Sequence, residues 1–358
     1  MRRGEGTPRG LRTVVAAAVV VAVTAVPARA GATPSPAPSP PTRVCDVRGG
    51  PLTEISGMVA TDDGFVVVND GVDDSDGRRI FFLDSECSVV RSVPYPSRPR
   101  DTEDLAIGAD GTVWVADIGD NGRSRTTIAV WKLPPGAERP VLYRMAYPDG
   151  PHDAEALLVT GDGRPLIVTK YSAALYAPTA ALRPGTTVPL ARVGQVRLPA
   201  STTSNPFAGV GRTAVTGAAT APDGRRVVLR TYADAFEFDV VGGDVVAALT
   251  SGVPRVTALP DEPQGESITY SRDGRSLLTV SETANQPAGT RPGILRYPLA
   301  AAVASTAPPA TPASSAAADD IDRGGGVPVP LVLAGASGLA LLAIGLLVVT
   351  RIRRARSR

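Results

Sequence analysis

The chain has one histidine, His152, in 358 residues. That excludes zinc sites built on several histidines and any di-histidine catalysis. It also has no HExxH, no phosphate loop, no nucleophile elbow and no paired CxxC between its two ends, so the familiar signatures of zinc chemistry, nucleotide hydrolysis and acyl transfer are missing. Lysine occurs only at Lys132 and Lys170. The net charge of +2 comes largely from the terminal segments, which leaves the middle of the chain without a basic surface suited to nucleic acid. Cysteine is confined to Cys45 and Cys87.

What is present begins at the ends. Arg2, Arg3, Arg9 and Arg12 precede an uncharged Ala/Val/Thr run from Val14 to Val26, too short to span a bilayer, and Ala28-Arg29-Ala30 follows. Residues 1–30 are therefore expected to be a signal peptide cleaved after Ala30. Leu331 to Thr350 is free of charge and long enough for a hydrocarbon core, and Arg351, Arg353, Arg354, Arg356 and Arg358 follow at once. The expectation is a transmembrane helix over 327–350 and a basic cytoplasmic tail over 351–358, with the middle of the chain extracellular at the cell membrane. Two low-complexity stretches read as tethers, a Pro-rich linker at 31–41 and an Ala/Ser/Thr/Pro-rich stalk at 300–326. Residues 42–299 remain as one extracellular domain. On the oxidising side of the membrane, Cys45 and Cys87 are expected to form a disulfide.

An internal repeat sets the fold class. Asp-Gly pairs at 63–64, 110–111, 162–163, 223–224 and 273–274 each join an alternating run to a strongly apolar one, the pattern of a two-residue hairpin turn. The runs before the turns, Ser56–Ala60, Glu103–Ile107, Glu155–Val159, Thr216–Thr220 and Glu266–Tyr270, keep one register. Second strands follow as Phe65–Val68, Thr112–Val115, Pro165–Val168, Arg226–Leu229 and Ser276–Val280. Third strands are expected at Ile80–Leu83, Ile128–Trp131, Ala174–Tyr176, Phe236–Phe238 and Ile294–Tyr297. Fourth strands are expected at Val89–Pro94, Val141–Tyr147, Ala191–Leu198 and Asp244–Leu249. The last unit lacks a fourth strand, and the extended segment Thr42–Arg48 is its donor. The repeat spacings of 47, 52, 61 and 50 residues fit an all-β propeller of five four-stranded blades. Six is the alternative, with a degenerate blade near Ser201–Arg212.

Strand direction then locates a site. With the Asp-Gly turns on one face, the opposite face gathers Glu103, Asp104, Glu155 and Glu266 from the first strands. The ends of the second strands bring Asp70, Asp117, Asp120, Asn121, Lys170, Arg230 and Glu282 to the same face. Three glutamates at one repeat position converge on the axis, and converging carboxylates repel unless a cation or polar ligand compensates. Ca²⁺ or another hard divalent cation fits an all-oxygen donor set. Glu103, Glu155, Glu266, Lys170, Arg230 and Glu282 are the candidate ligand-binding residues, and His152, just before Asp153 and Glu155, is the candidate general base. The run Asn69–Gly77 lacks an EF-hand's first carboxylate, because Val72 occupies its place, and reads as a solvated connector.

Glu103-Asp-Leu-Ala, Glu155-Ala-Leu and Gly265-Glu266-Ser-Ile, each followed by an Asp-Gly turn and a strand, resemble secreted, membrane-anchored bacterial propellers of the phytase-like esterase and gluconolactonase type, which are WD-repeat-like in build. That resemblance implies a divalent cation on Glu103, Glu155 and Glu266, with Asp117 or Asn121 completing the set. Ser56 and Thr216 depart from it, standing where further acidic residues would be. Two functions remain open. One is a cell-surface binding or scaffolding module that presents its acidic face to a small polar ligand or a cell-envelope component. The other is a metal-dependent extracellular hydrolase of phosphoesters, lactones or similar small esters.

Overall fold

The computed structural model describes residues 40–71 and 74–299. The expected signal peptide, most of the linker, the stalk, the transmembrane segment and the basic tail lie outside the described residues, as does Val72. Among the described residues, no helix is long and apolar enough to cross a membrane.

The described residues are all-β apart from two short helices, and their fold is propeller-like. After β1 (Thr42–Asp46) come β2 (Ile55–Ala60), β3 (Phe65–Asn69), β4 (Arg79–Leu83) and β5 (Val89–Pro94), paired antiparallel in that order. The next run is β6 (Thr102–Ile107), β7 (Val113–Asp117), β8 (Ile128–Leu133) and β9 (Val141–Ala146). It is followed by β10 (Ala154–Val159), β11 (Pro165–Thr169), β12 (Ala174–Pro178) and β13 (Thr187–Gln195). Strands β9 and β13 meet in parallel, so these two runs join as one eight-stranded sheet. Helix α1 (Ala208–Gly211) precedes β14 (Val215–Thr220), β15 (Arg226–Thr231) and β16 (Asp234–Asp239). Helix α2 (Val245–Ser251) then leads to β17 (Arg255–Ala258), which completes that sheet. Finally β18 (Gln264–Tyr270), β19 (Ser276–Glu282) and β20 (Gly293–Pro298) are closed by β1, which pairs antiparallel with β20.

Strands β2, β6, β10, β14 and β18 sit side by side, and β18 returns to lie beside β2. The core falls between consecutive sheets. Val59, Val66 and Ile80 pack on Leu105, Val115 and Trp131, and equivalent clusters follow at each junction, the last formed by Met58, Val67 and Phe81 with Leu278, Val280 and Ile294. Each sheet thus buries both faces against its neighbours, which explains why the second strands are continuous apolar runs.

The Asp-Gly turns are not two-residue hairpins. In each, the glycine alone has positive φ, from +66° at Gly274 to +146° at Gly64, and it sits last in the turn. Gly111, Gly163, Gly224 and Gly274 donate their N–H to the carbonyl three residues earlier. The glycine is needed for its left-handed backbone, and the aspartate for its side chain, as where Asp110 accepts from Thr112 N–H at 3.0 Å.

The strand expected at Asp244–Leu249 is helix α2. Asp244 caps it by accepting from Ala247 N–H at 2.9 Å, and Val245, Ala248 and Leu249 reach the core. The fourth strand of that sheet is β17. Residues 199–214 contain α1 and no strand, so no additional sheet is found where the six-bladed alternative required one.

Two devices tie the assembly together. A disulfide joins Cys45 to Cys87 across a Cα separation of 6.0 Å, and beside it Arg48 donates its N–H to Cys87 O at 2.8 Å and accepts from Val89 N–H at 2.9 Å, fastening the β1 segment to the first sheet. Asp104 is fully buried at the axis. Its Oδ1 accepts from Leu105 N–H at 2.8 Å, and its Oδ2 accepts from Leu157 N–H at 2.8 Å and Ala218 N–H at 3.1 Å, so one carboxyl joins β6, β10 and β14. Burial drives its pKa far above the ordinary value despite those three donors.

Replacing both cysteines by serine frees a loop of 42 residues and is expected to lower unfolding stability by about 2–4 kcal/mol in urea titrations. An unmoved midpoint contradicts that role. Asp104→Ala removes the acceptor of three N–H groups and is expected to cost about 3 kcal/mol, with Asp104→Asn costing less because it keeps an acceptor oxygen. Equal losses for the two variants would show that the acceptor is not what matters.

Candidate functional site

The site originates in a repeated irregularity of the backbone. In each of the five axial strands the register with the next strand slips at one place, between Ile55 and Gly57, Thr102 and Asp104, Ala154 and Ala156, Val215 and Gly217, and Gly265 and Ser267. The skipped residues are Ser56, Glu103, Glu155, Thr216 and Glu266. A bulge leaves one residue out of the ladder and re-aims its side chain. Small residues follow at Gly57, Ala156 and Gly217, and a Cβ at Gly57 or Gly217 would collide with the backbone of the adjacent axial strand. Close approach of the strands brings the re-aimed side chains together.

Those side chains behave in two ways. Ser56 and Thr216 turn sideways, each donating its hydroxyl at 3.0 Å to a carbonyl of the next axial strand, Thr102 O and Gly265 O respectively. Glu103, Glu155 and Glu266 converge instead, with one carboxylate oxygen from each lying within 4.8 Å of the others. All three are buried. A second trio, sharing Glu103, is completed by Asp70 after β3 and Asp101 before β6.

Neighbours hold this cluster in place. Lys170, just after β11, is ion-paired with Glu155 Oε1. Tyr232 donates its hydroxyl to Glu266 Oε1 at 3.0 Å, and the Gln264 amide bridges Glu266 Oε1 at 3.2 Å and Glu282 Oε2 at 2.5 Å. Two buried carboxylate oxygens in this region, Glu155 Oε2 and Glu282 Oε1, have no hydrogen-bond partner. Gly119 lies against Glu103 Oε1 and Asp101, and Gly71 against Asp101, so that a Cβ at either position would occupy the carboxylates' space. The Asp-Ile-Gly-Asp-Asn motif therefore serves the cluster through its glycine.

The electrostatics follow from burial and crowding. Burial, then Glu155, Asp70 and Asp101, hold Glu103 well above the ordinary carboxylate range. Burial and Glu266 do the same to Glu155, with Lys170 opposing them. Glu266 and Asp70 are raised chiefly by burial. Burial and Glu266 push Glu282 up to about 11, and burial and Asp70 push Asp101 up to about 7. Burial works against the Lys170 ammonium, yet Glu155, Tyr232 and Glu266 together hold its pKa above the usual lysine value. Six carboxyls thus share one ammonium, and protons supply the remaining compensation.

The other residues singled out from sequence lie elsewhere. Asp117 is buried but already saturated, accepting from Arg100 and Asp101 N–H, from Arg125 at 2.9 Å and from Trp131 Nε1 at 3.3 Å, so it braces the loop that carries Asp101. Asn121 is exposed in the following turn. Arg230 is 0 % exposed, donating to Glu262 at 2.6 Å and to Ser267 O at 2.7 Å. It joins two sheets and has no face open to a ligand. Beside it, Glu262 is held below the ordinary carboxylate range, since Arg230 and three hydroxyls outweigh the effect of burial. His152 packs against Tyr147 and Tyr176 and shares hydrogen bonds with Asp149 at 2.9 Å and the Tyr176 hydroxyl at 3.1 Å. Asp101, Gly71, Gly119, Gln264 and Tyr232 were not evident from the sequence. Asp101 stands two residues before Glu103, outside the repeat position that marks the glutamates.

No protein-family model and no curated protein matches the chain. Among solved structures it is similar to a gluconolactonase from Xanthomonas campestris, at 12% identity over 72% of this chain and 89% of that one, with a TM-score of 0.39. It is also similar to a putative gluconolactonase, at 13% identity over 68% and 74%, TM-score 0.40. A third is the PQQ-bound aldose sugar dehydrogenase of Streptomyces coelicolor, at 12% identity over 73% and 99%, TM-score 0.36.

The folded chain keeps Asp101 and Glu282 protonated at pH values where the unfolded chain has ionised them, near pH 4. Stability in EDTA is accordingly expected to fall as pH rises from about 4. The Asp101 contribution runs out near 7, where its folded carboxyl ionises, and that of Glu282 continues beyond. Thermal melts between pH 5 and 8 measure this, with Asp101→Asn flattening the slope below 7. A melting temperature that climbs across that interval contradicts the assignment.

Proposed function

We propose that residues 42–299 form a five-bladed propeller, displayed at the outer face of the cell membrane, whose axial carboxylates hold a hard divalent cation of the Ca²⁺ type. The observation that carries this reading is the convergence of Glu103, Glu155 and Glu266 within 4.8 Å, together with the unpartnered buried oxygens of Glu155 and Glu282. An all-oxygen donor set with glycines cradling it suits Ca²⁺ better than softer metals. Glu103, Glu155 and Glu266 would hold the ion, with Asp70 and Asp101 beside them. Five inner strands in a closed cycle, each heading a four-stranded antiparallel run, support the blade count.

The cation-bearing face then acts as a binding surface for a small polar ligand or an envelope component. A second reading is favoured by the place of Asp101 inside the cluster, where burial and Asp70 push its carboxyl up to about 7. A carboxyl with that property can give or take a proton at working pH, as hydrolysis of a phosphoester or lactone requires. A bound cation would supply Lewis-acid polarisation of the scissile group and an acidified water. Lys170 fixes the Glu155 carboxylate, and Tyr232 and Gln264 orient that of Glu266.

Adding Ca²⁺ to the EDTA-treated domain at 100 times its dissociation constant is expected to stabilise it by about 2.7 kcal/mol, read as a rise in melting temperature. Uptake should release protons and weaken as pH falls below 7. The triple variant Glu103→Gln/Glu155→Gln/Glu266→Gln should lose the response. A melt indifferent to divalent cations would remove the cation site, and measured turnover of lactones or phosphoesters in the loaded protein decides between the two readings.

A further inference from the structure

The long interval before β14 places an aromatic side chain beside a residue of this site. Among the described residues only two of the well-exposed large apolar side chains are aromatic, Tyr171 at 52% and Phe207 at 40%, and both adjoin residues that touch the carboxylate cluster. Phe207 rests on Tyr232 with ring centroids 4.3 Å apart, and Tyr232 is bonded to Glu266. Lys170 Nζ lies 5.9 Å from the Tyr232 ring and 6.0 Å from the Tyr171 ring. Phe207, Tyr232, Lys170 and Tyr171 therefore form a rim that is exposed at its two aromatic ends and buried at Tyr232 and Lys170.

That rim is held rigidly. The Asn205 side chain accepts from Phe207 N–H at 2.9 Å and donates to Ala208 O at 3.1 Å, and Arg212 reaches back to Thr203 O at 3.1 Å. Thr203 and Ser204 anchor the loop to Asp234 at 2.7 Å and Asp261 at 2.5 Å. Ala208 is kept at φ +53°, an uncommon conformation for a residue with a Cβ, immediately after the exposed ring. A soluble chain normally buries such rings, and fixing them beside a buried polar cluster gives a ligand an apolar platform without a further ordering cost.

We propose that this rim selects ligands that join a flat, apolar-faced ring to an anionic oxygen group, with the ring stacking on Phe207 and Tyr171 and the oxygens directed to Lys170 and the carboxylate-held cation. The proposal deepens the cation-site reading and rests on it for the anionic half of recognition alone. The aromatic half depends only on the chain's own residues.

Phenyl phosphate and methyl phosphate, compared by calorimetric titration of the domain with and without Ca²⁺, separate the two halves. Phenyl phosphate is expected to bind about tenfold more tightly than methyl phosphate. Phe207→Ala or Tyr171→Ala should each reduce that preference severalfold while leaving Ca²⁺ affinity unchanged, and Phe207→Trp should preserve it. Equal binding of the two phosphates by the unaltered protein, or a preference untouched in both alanine variants, overturns the rim. A ring preference that persists while neither phosphate binds more tightly with Ca²⁺ than without it supports the rim and counts against the cation site.

Discussion

Everything at the axis depends on one recurring backbone feature, the bulge that each inner strand makes at the same place. A regular strand alternates its side chains between two faces, and here both faces are occupied by neighbouring sheets. A residue taken out of the ladder is freed from that alternation and turns to the adjacent inner strand or to the axis. Five such residues are placed by the fold, and their identity alone decides whether the axis is stitched or charged. Ser56 and Thr216 stitch it, while Glu103, Glu155 and Glu266 charge it.

The same closeness that assembles the carboxylates makes them costly. Gly57 and Gly217 admit the neighbouring backbone, and Asp104 draws three strands together from beneath. A buried carboxylate without a counter-charge protonates or finds a cation, and this cluster has Lys170 as its single ammonium. Elsewhere in the molecule buried charge is treated differently. Glu262 meets Arg230 and three hydroxyls, and Glu237 meets Arg226, Arg255 and the Tyr270 hydroxyl. Those carboxylates meet their counter-charges within the protein and serve as joints between sheets. The axial cluster is left short of positive charge, and this contrast distinguishes a site from a joint.

Much of this was legible in the sequence because it rests on local spacing. The Asp-Gly turns put glycine where the left-handed backbone is required, the first strands kept one register, and the orphan segment at Thr42–Arg48 supplied the missing strand beside β20. Cys45 and Cys87 paired as expected. The three axial glutamates were legible for the same reason, since equal positions in repeated units become neighbours when the units close. The strand expected at Asp244–Leu249 failed because an aspartate cap and a run tolerant of either conformation do not reveal whether the next turn is helical.

What the sequence determined by itself is the part of the protein that repeats: strand order, turn positions, closure, and the acidic character of one face. Tertiary structure alone decided which polar residues meet. Asp117 and Arg230 look like site residues by position, yet the first is saturated by Arg125 and Trp131 and the second is buried and paired with Glu262 and Ser267 O. Asp101, Tyr232 and the Phe207 rim join the site from loops whose paths no periodicity describes. Repetition fixes backbone geometry from local preferences, whereas partnership between charges depends on distances set only when the ring is complete.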